Sequence, residues 1–175
     1  AIAISLAKSG AIVIVNHSSE KSKPEAEDTL KTIETNGGKG FIIQCDVSKE
    51  DQVQAMFATT IERYGTVDIL INNAGLQQDA AFVDMTLAQW QKVIDVNLTG
   101  QFLCSREAIR EFLKRGMNDK SKALGKIIND QKLGGKLEQI YQVINDTEND
   151  VIAVENEFDN KLLEFHCAVV CCDVD

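Results

Sequence analysis

The chain is poor in several things that would each mark a class of protein. One proline and 11 glycines in 175 residues exclude collagen-like and proline-rich architectures. No unbroken apolar run is longer than six residues, far short of the roughly 20 that a membrane helix needs. The first ten residues, Ala1 to Gly10, hold no basic leader with a small-residue cleavage site, so no secretory signal is expected there. Basic charge is scarce too. Eighteen Lys and Arg against 27 Asp and Glu leave a net charge of −9, which argues against nucleic acid or anionic lipid as a partner for a basic face. The five cysteines (45, 104, 167, 171 and 172) form neither a C-x-x-C pair nor an even framework. Reduced thiols in the cytoplasm are the expected state. What is present is an ordinary globular balance of 44% hydrophobic and 26% charged residues, enough for a buried core.

The charge is unevenly placed. Residues 1–129 have a net charge of −1 and residues 130–175 a net charge of −8, with no serine after Ser121 and no glycine after Gly135. Two regions are therefore expected, 1–129 and an acidic tail, 130–175. In the first, two hydrophobic periods alternate. Ala1, Ile2, Ile4, Leu6 and Ala7 suit a buried helix, and Ala11-Ile-Val-Ile-Val15 suits a strand covered on both faces. A polar-faced helix is predicted over Ser18–Thr35, with Pro24 in its first turn, and a strand over Gly40–Cys45. Ser48 with Asp51 three residues on suggests a helix start, and that helix runs to Gly65. Strands are predicted at Val67–Ile71 and Gly125–Asn129, with helices at about 86–96 and 98–115 between them. Alternation at this spacing implies βαβ units and an α/β doubly wound parallel sheet. Ligands of such sheets sit at the carboxyl ends of the strands. Those ends are followed here by Asn16-His17-Ser18, Asp46-Val47, Asn72–Gly75 and Asn129-Asp130.

Four segments in this order carry a likeness: Gly10-Ala-Ile-Val-Ile-Val-Asn16, Cys45-Asp-Val-Ser48, Asp68-Ile-Leu-Ile-Asn-Asn-Ala-Gly75 and Asp95-Val-Asn-Leu-Thr-Gly100. The series resembles the short-chain dehydrogenase/reductase family, NAD(P)-dependent oxidoreductases on a Rossmann sheet. Ser105-Arg-Glu-Ala-Ile-Arg110 and Gly125-Lys-Ile-Ile-Asn129 point to its glucose 1-dehydrogenase branch. The likeness covers residues 1–129.

The resemblance implies that Asp46 binds the adenine amino group and Val47 lines the adenine pocket; read alone, Asp46 also suits a turn or a helix start. Asn73, Ala74 and Gly75 match the motif that lets the backbone approach the cofactor. Asn97 matches the family asparagine that holds a water of the proton relay at a helix kink. Its side chain could equally satisfy backbone groups there. Cofactor choice rests on Asn16, His17 and Ser18, where no carboxylate stands to select NAD, so NADP is tolerated as well as NAD. Lys21 and Lys23 lie near that strand end.

The departures are equally specific. The family's Thr-Gly-x-x-x-Gly-x-Gly loop precedes the first helix and follows a first strand at the sheet's centre, and neither lies within residues 1–129. Asp130-Gln131-Lys132 stands where the catalytic serine is expected. The acid/base tyrosine should be followed four residues later by a lysine that lowers its pKa. Tyr64 has Asp68 at that offset and Tyr141 has Asn145. An unassisted tyrosine, with a pKa of about 10, is a poor base at neutral pH.

In the tail, Leu137, Ile140, Tyr141 and Ile144 suggest an amphipathic helix, and Val151–Val154 and Cys167–Cys172 short strands. His166 beside the tail cysteines fits no usual zinc spacing, and the acids between Asp146 and Asp159 form no calcium loop, so no metal is expected. The expectation is an incomplete Rossmann-like sheet, first strand missing, in residues 1–129. Its function is that of an NAD(P)-dependent alcohol or sugar oxidoreductase by descent, catalytically impaired in this chain; the alternative is a non-catalytic remnant serving binding or assembly. Relatives form homo-oligomers through helices matching 98–115 and the tyrosine-bearing helix, so the interface here is expected to be incomplete.

Overall fold

The computed structural model describes residues 1–118 and 123–129, the backbone of 152–155, and residues 167–171. In chain order the elements are α1 (Ile2–Lys8), β1 (Ile12–His17), α2 (Lys23–Thr35), β2 (Lys39–Gln44), α3 (Glu50–Tyr64), β3 (Ile69–Asn72), α4 (Leu87–Ile94), a wide π turn (Asp95–Gly100), α5 (Gln101–Arg115), β4 (Gly125–Asn129), β5 (Ile152–Glu155) and β6 (Cys167–Cys171). The strands form one all-parallel sheet in the order β2-β1-β6-β3-β4-β5. It is the Rossmann-like α/β architecture expected from the alternating periods.

Local chemistry sets most boundaries. Gly65 ends α3 with φ of 84°, a left-handed backbone that a side chain would oppose. Thr86 and Gln89 close a reciprocal cap on α4: the Thr86 hydroxyl accepts the Gln89 N–H, and the Gln89 amide oxygen accepts the Thr86 N–H. Two expected helix starts are displaced. The helix predicted from Ser18 begins only at Lys23, because Ser22 Oγ accepts the Ser19 N–H and donates to the Ser19 carbonyl, closing a turn first. Ser48 does not cap α3; its hydroxyl donates to Asp46, and α3 begins at Glu50 without a side-chain cap. The two helices predicted near 86–96 and 98–115 are one rod, its ladder widened to a π turn around Asn97.

Helices cover both faces. On one face, Ile14, Leu70 and Ile127 pack against Val53, Met56 and Phe57 of α3 and Leu103, Ala108 and Phe112 of α5. On the other, Val13, Val15, Ile69, Ile71 and Ile128 pack against Ala3, Leu6 and Ala7 of α1 and Ala26 and Ile33 of α2. Alternate residues of each strand serve alternate faces, as pleating requires.

The centre of the sheet comes from the far end of the chain. β6 lies between β1 and β3, paired in register with both, so that Ala168 faces Val13 on one side and Ile69 on the other. Cys167, Val169 and Cys171 join the α3/α5 face, while Ala168 and Val170 join the α1/α2 face. The central place that the resemblance leaves without a first strand is thus occupied by a strand drawn from beyond residue 130. β5, also from that region, pairs with β4. The helix suggested by Leu137–Ile144, His166 and Cys172 lie outside the described residues.

Candidate functional site

Every parallel strand points its carboxyl end to the same edge, and the predicted site residues gather along it. At the end of β1, Asn16 is buried and spans to β2: its Nδ2 donates to the Cys45 carbonyl at 2.8 Å and to that of Ile43 at 3.4 Å. Its Oδ1 is buried without a hydrogen-bond partner. His17 is also buried, its Nδ1 3.0 Å from the Ser19 carbonyl, so the ring is folded onto its own turn. Ser18 is half-buried. Lys23 pairs with Glu20 at 3.4 Å on the exposed start of α2.

At the end of β2, Asp46 makes a tight turn in which Oδ1 accepts the Ser48 N–H at 3.0 Å and the Ser48 hydroxyl at 2.7 Å. The turn reading of Asp46 is therefore realised in part, and the carboxylate is oriented with one oxygen committed. Val47 behind it is buried against Gly100, where an added Cβ would lie 2.7 Å from Val47 Cγ2. This close approach is why a glycine ends the π turn.

The end of β3 lies beside the central strand. The Asn73 N–H donates to the Cys171 carbonyl at 3.1 Å, continuing the ladder one step past β3. Ala74 is buried and Gly75 half-buried. Asn97 reaches over from the π turn and holds the loop that follows: its Oδ1 accepts the Leu76 N–H and its Nδ2 donates to the Leu76 carbonyl, both at 2.9 Å. The side chain thus satisfies backbone, but across to this loop rather than within its own kink.

The partners of Asn72, named in the sequence only as part of its motif, and the burial of Gln101 were not read there. Asn72 Nδ2 donates to Asn129 Oδ1 at 2.9 Å and to Ser105 Oγ at 3.0 Å, tying β3 to β4 and α5. Gln101 is 2% exposed and neither its Nε2 nor its Oε1 has a partner, which costs about 1–3 kcal/mol for such a group. Its signal was available: Gln101 stands at the start of the apolar stripe Cys104, Ala108 and Phe112. Gln101, Cys104, Val47, Ala74 and Cys171 line a recess too narrow for a water molecule. At the opposite end of β6, Asp68 Oδ2 accepts the Cys167 N–H at 3.0 Å while Oδ1 is paired with Arg115. Burial, and secondarily the Asp68 charge, push the Cys167 thiol up to about 12.

Tyr64 is not at this edge. It stacks on Phe41 of β2 at 5.9 Å. Tyr141 and Asp130 lie outside the described residues. In the sequence, β6 is followed by Cys172-Asp173-Val174-Asp175, with no glycine and two carboxylates. Asp46, Val47 and Asn73–Gly75 thus lie along one edge of the sheet.

The short chain dehydrogenase family model matches residues 1–140. A glucose 1-dehydrogenase 2 of Bacillus subtilis (strain 168) is 41% identical over 118 residues, 67% of this chain and 45% of that protein. A 3-oxoacyl-[acyl-carrier-protein] reductase of Synechocystis is 36% identical over 137 residues, 78% of this chain and 52% of that one. Among solved structures, a short-chain type dehydrogenase/reductase from Mycobacterium marinum superposes with a TM-score of 0.65 at 31% identity, covering 73% of this chain and 48% of that one. The chain spans about half the length of the relatives it matches.

Proposed function

Because the chain belongs to the short-chain dehydrogenase family, we propose that it descends from an NAD(P)-dependent alcohol or sugar oxidoreductase, glucose being the leading substrate. Within residues 1–175 it keeps the adenosine half of the cofactor site and lacks the parts that grip the diphosphate and move the proton. The observation that carries this reading is the make-up of one sheet edge. Asn73, Ala74 and Val47 border Cys171 at the end of the central strand, with Gly75 beside them and Asp46 at the end of β2, yet the central strand leads into Cys172-Asp173 instead of a glycine loop. A bound NAD(P) would supply the hydride chemistry in the family. Here Asp46 orients adenine and Val47 walls it, while Asn16, His17 and Ser18 present no carboxylate to repel a 2′-phosphate. Among the described residues no tyrosine stands at this edge to exchange a proton with substrate, and no turnover step is assigned to them.

Purified chain should show no NADP-dependent glucose oxidation above background and should bind NADPH little better than it binds adenosine monophosphate. Turnover comparable with an intact relative, or micromolar affinity for NADPH, would overturn the reading. The second reading, a non-catalytic binding or assembly module, draws on Phe82, Val83, Leu87, Trp90 and Phe102, large apolar side chains exposed before and along the α4–α5 rod. Concentration-dependent sedimentation of the chain, lost on replacing Phe102 and Trp90 by polar residues, would support it.

A further inference from the structure

We propose that Cys104 and Cys171 form a dithiol latch that closes to a disulfide, pinning the late-arriving central strand to α5. The two sulfurs stand 3.8 Å apart, in van der Waals contact, although 67 residues separate them in the chain. Their encounter follows from two periodicities. Pleating places Cys167, Val169 and Cys171 on the α3/α5 face of β6, and the buried stripe of α5 carries Cys104 in line with Ala108 and Phe112. Closure to a bond of about 2.0 Å needs the sulfurs to approach by rotation about their Cβ atoms. Ala74 and Gly100 beside them are small, and the recess, which Val47, Val96 and Gln101 also line, is too narrow for a water molecule.

The other described thiols are poor competitors. Cys45 follows β2, two strand spacings or roughly 10 Å from β6. Cys167 sits at the amino end of β6, its N–H held by Asp68, and its thiol resists ionisation. Cys171 is the last residue of β6, at the open edge of the sheet, where a strand end frays first.

The reaction proposed is exchange with a small-molecule disulfide. The Cys171 thiolate attacks one sulfur of the reagent and releases one small thiol, leaving a mixed disulfide. The Cys104 thiolate then attacks the Cys171 sulfur and releases the second small thiol. The protein loses two protons and two electrons, and the reagent's disulfide is reduced to two thiols. With the bond closed, β6 can no longer leave the slot between β1 and β3. The reduced chain alone can release it.

The test uses the whole chain, reduced, desalted and then incubated under native conditions with oxidised glutathione, followed by acid quench and alkylation. The expected product is lighter than the reduced chain by two hydrogens, and its non-reducing digest joins the Cys104 peptide to the Cys171 peptide. It should melt several degrees above the reduced chain, because the closed loop restricts the unfolded state. Cys104→Ala should trap the mixed disulfide at Cys171 instead. A Cys171–Cys172 bond, thiols that stay reduced under native oxidation, or a 104–171 bond that lowers the melting midpoint would each overturn the proposal. The peptide map of the unsubstituted chain decides the pairing even where Cys104→Ala folds poorly.

Discussion

Removing the Asp68 carboxylate should loosen the central strand more than any other single polar change. Asp68 is 1% exposed and works on both sides of itself. Its backbone N–H donates to the Cys167 carbonyl and its carbonyl accepts the Lys126 N–H, both at 2.9 Å, so it bridges β6 and β4 just before β3 begins. Its side chain accepts the Cys167 N–H at 3.0 Å and pairs with Arg115. Breaking a buried ion pair from one side costs about 3–5 kcal/mol, since the remaining charge is left uncompensated. Arg115 also donates to the Leu124 carbonyl and keeps 19% of its side-chain exposure. The lower end is therefore expected for Asp68→Ala, about 3 kcal/mol. Asp68→Asn retains an acceptor for the Cys167 N–H and should cost about half as much, mainly through the lost charge-assisted bond. Urea unfolding followed by far-UV circular dichroism reads the totals, and native-state amide exchange at Ala168, Val169 and Val170 reads β6 separately. A loss below about 1 kcal/mol for Asp68→Ala, well under the buried-pair range, would refute the reasoning. So would β6 amides that exchange as in the parent while the rest of the sheet weakens.

Three further outcomes follow from single contacts. Because the folded Cys167 thiol ionises near 12 rather than at 9.0, the unfolded chain loses its proton first as pH rises. The stability due to the neutral thiol is whole below pH 9 and should fall by about 1.4 kcal/mol per pH unit above it; Cys167→Ala should remove that slope from urea midpoints. Gly100→Ala would put a Cβ 2.7 Å from Val47 Cγ2, an overpacking cost of about 1–3 kcal/mol. Val47→Ala in the same chain should recover much of it in thermal melts; a loss merely additive with the single changes would count against the contact. Asn97→Ala removes both bonds to Leu76 and should cost about 1–3 kcal/mol. Amide exchange should quicken at Leu76 while the helical signal is kept.

How much of this was legible depended on which force set each feature. Strands built on short runs of branched apolar residues announced themselves: Gly125–Asn129 was located to the residue around Ile127-Ile128, and Ala11–Val15 and Val67–Ile71 to within one or two at each end. Burial wrote those patterns directly into residue type. Helix starts were less legible, because Ser22 and Ser48 had two uses for one hydroxyl and the structure took the turn in both cases. The strand ends named Asp46, Val47 and Asn73–Gly75 as a shared edge, since parallel strands must end together. What periodicity could not convey was which distant residue would face which: Asn72 with Ser105 and Asn129, or Cys104 with Cys171. Those pairings arise only once the strand order is known.

That strand order separates what the scaffold demands from what the chemistry demands. The slot between β1 and β3 asks for five extended residues, apolar on both faces, entering in the parallel direction, with a donor for Asp68 at the start. Cys167-Ala-Val-Val-Cys171 meets each condition. Burial is indifferent to where in the chain such a run comes from, because neighbouring strands read only pleat, volume and hydrogen-bond direction. A diphosphate site is not indifferent. It needs backbone N–H groups turned toward one point by glycines at set offsets after that same strand, and Asp173 and Asp175 stand within four residues of Cys171 instead. β6 therefore completes the sheet and its two hydrophobic layers by pattern alone. The sheet is specified by a pattern that many short runs satisfy, a diphosphate site by particular residues at particular positions.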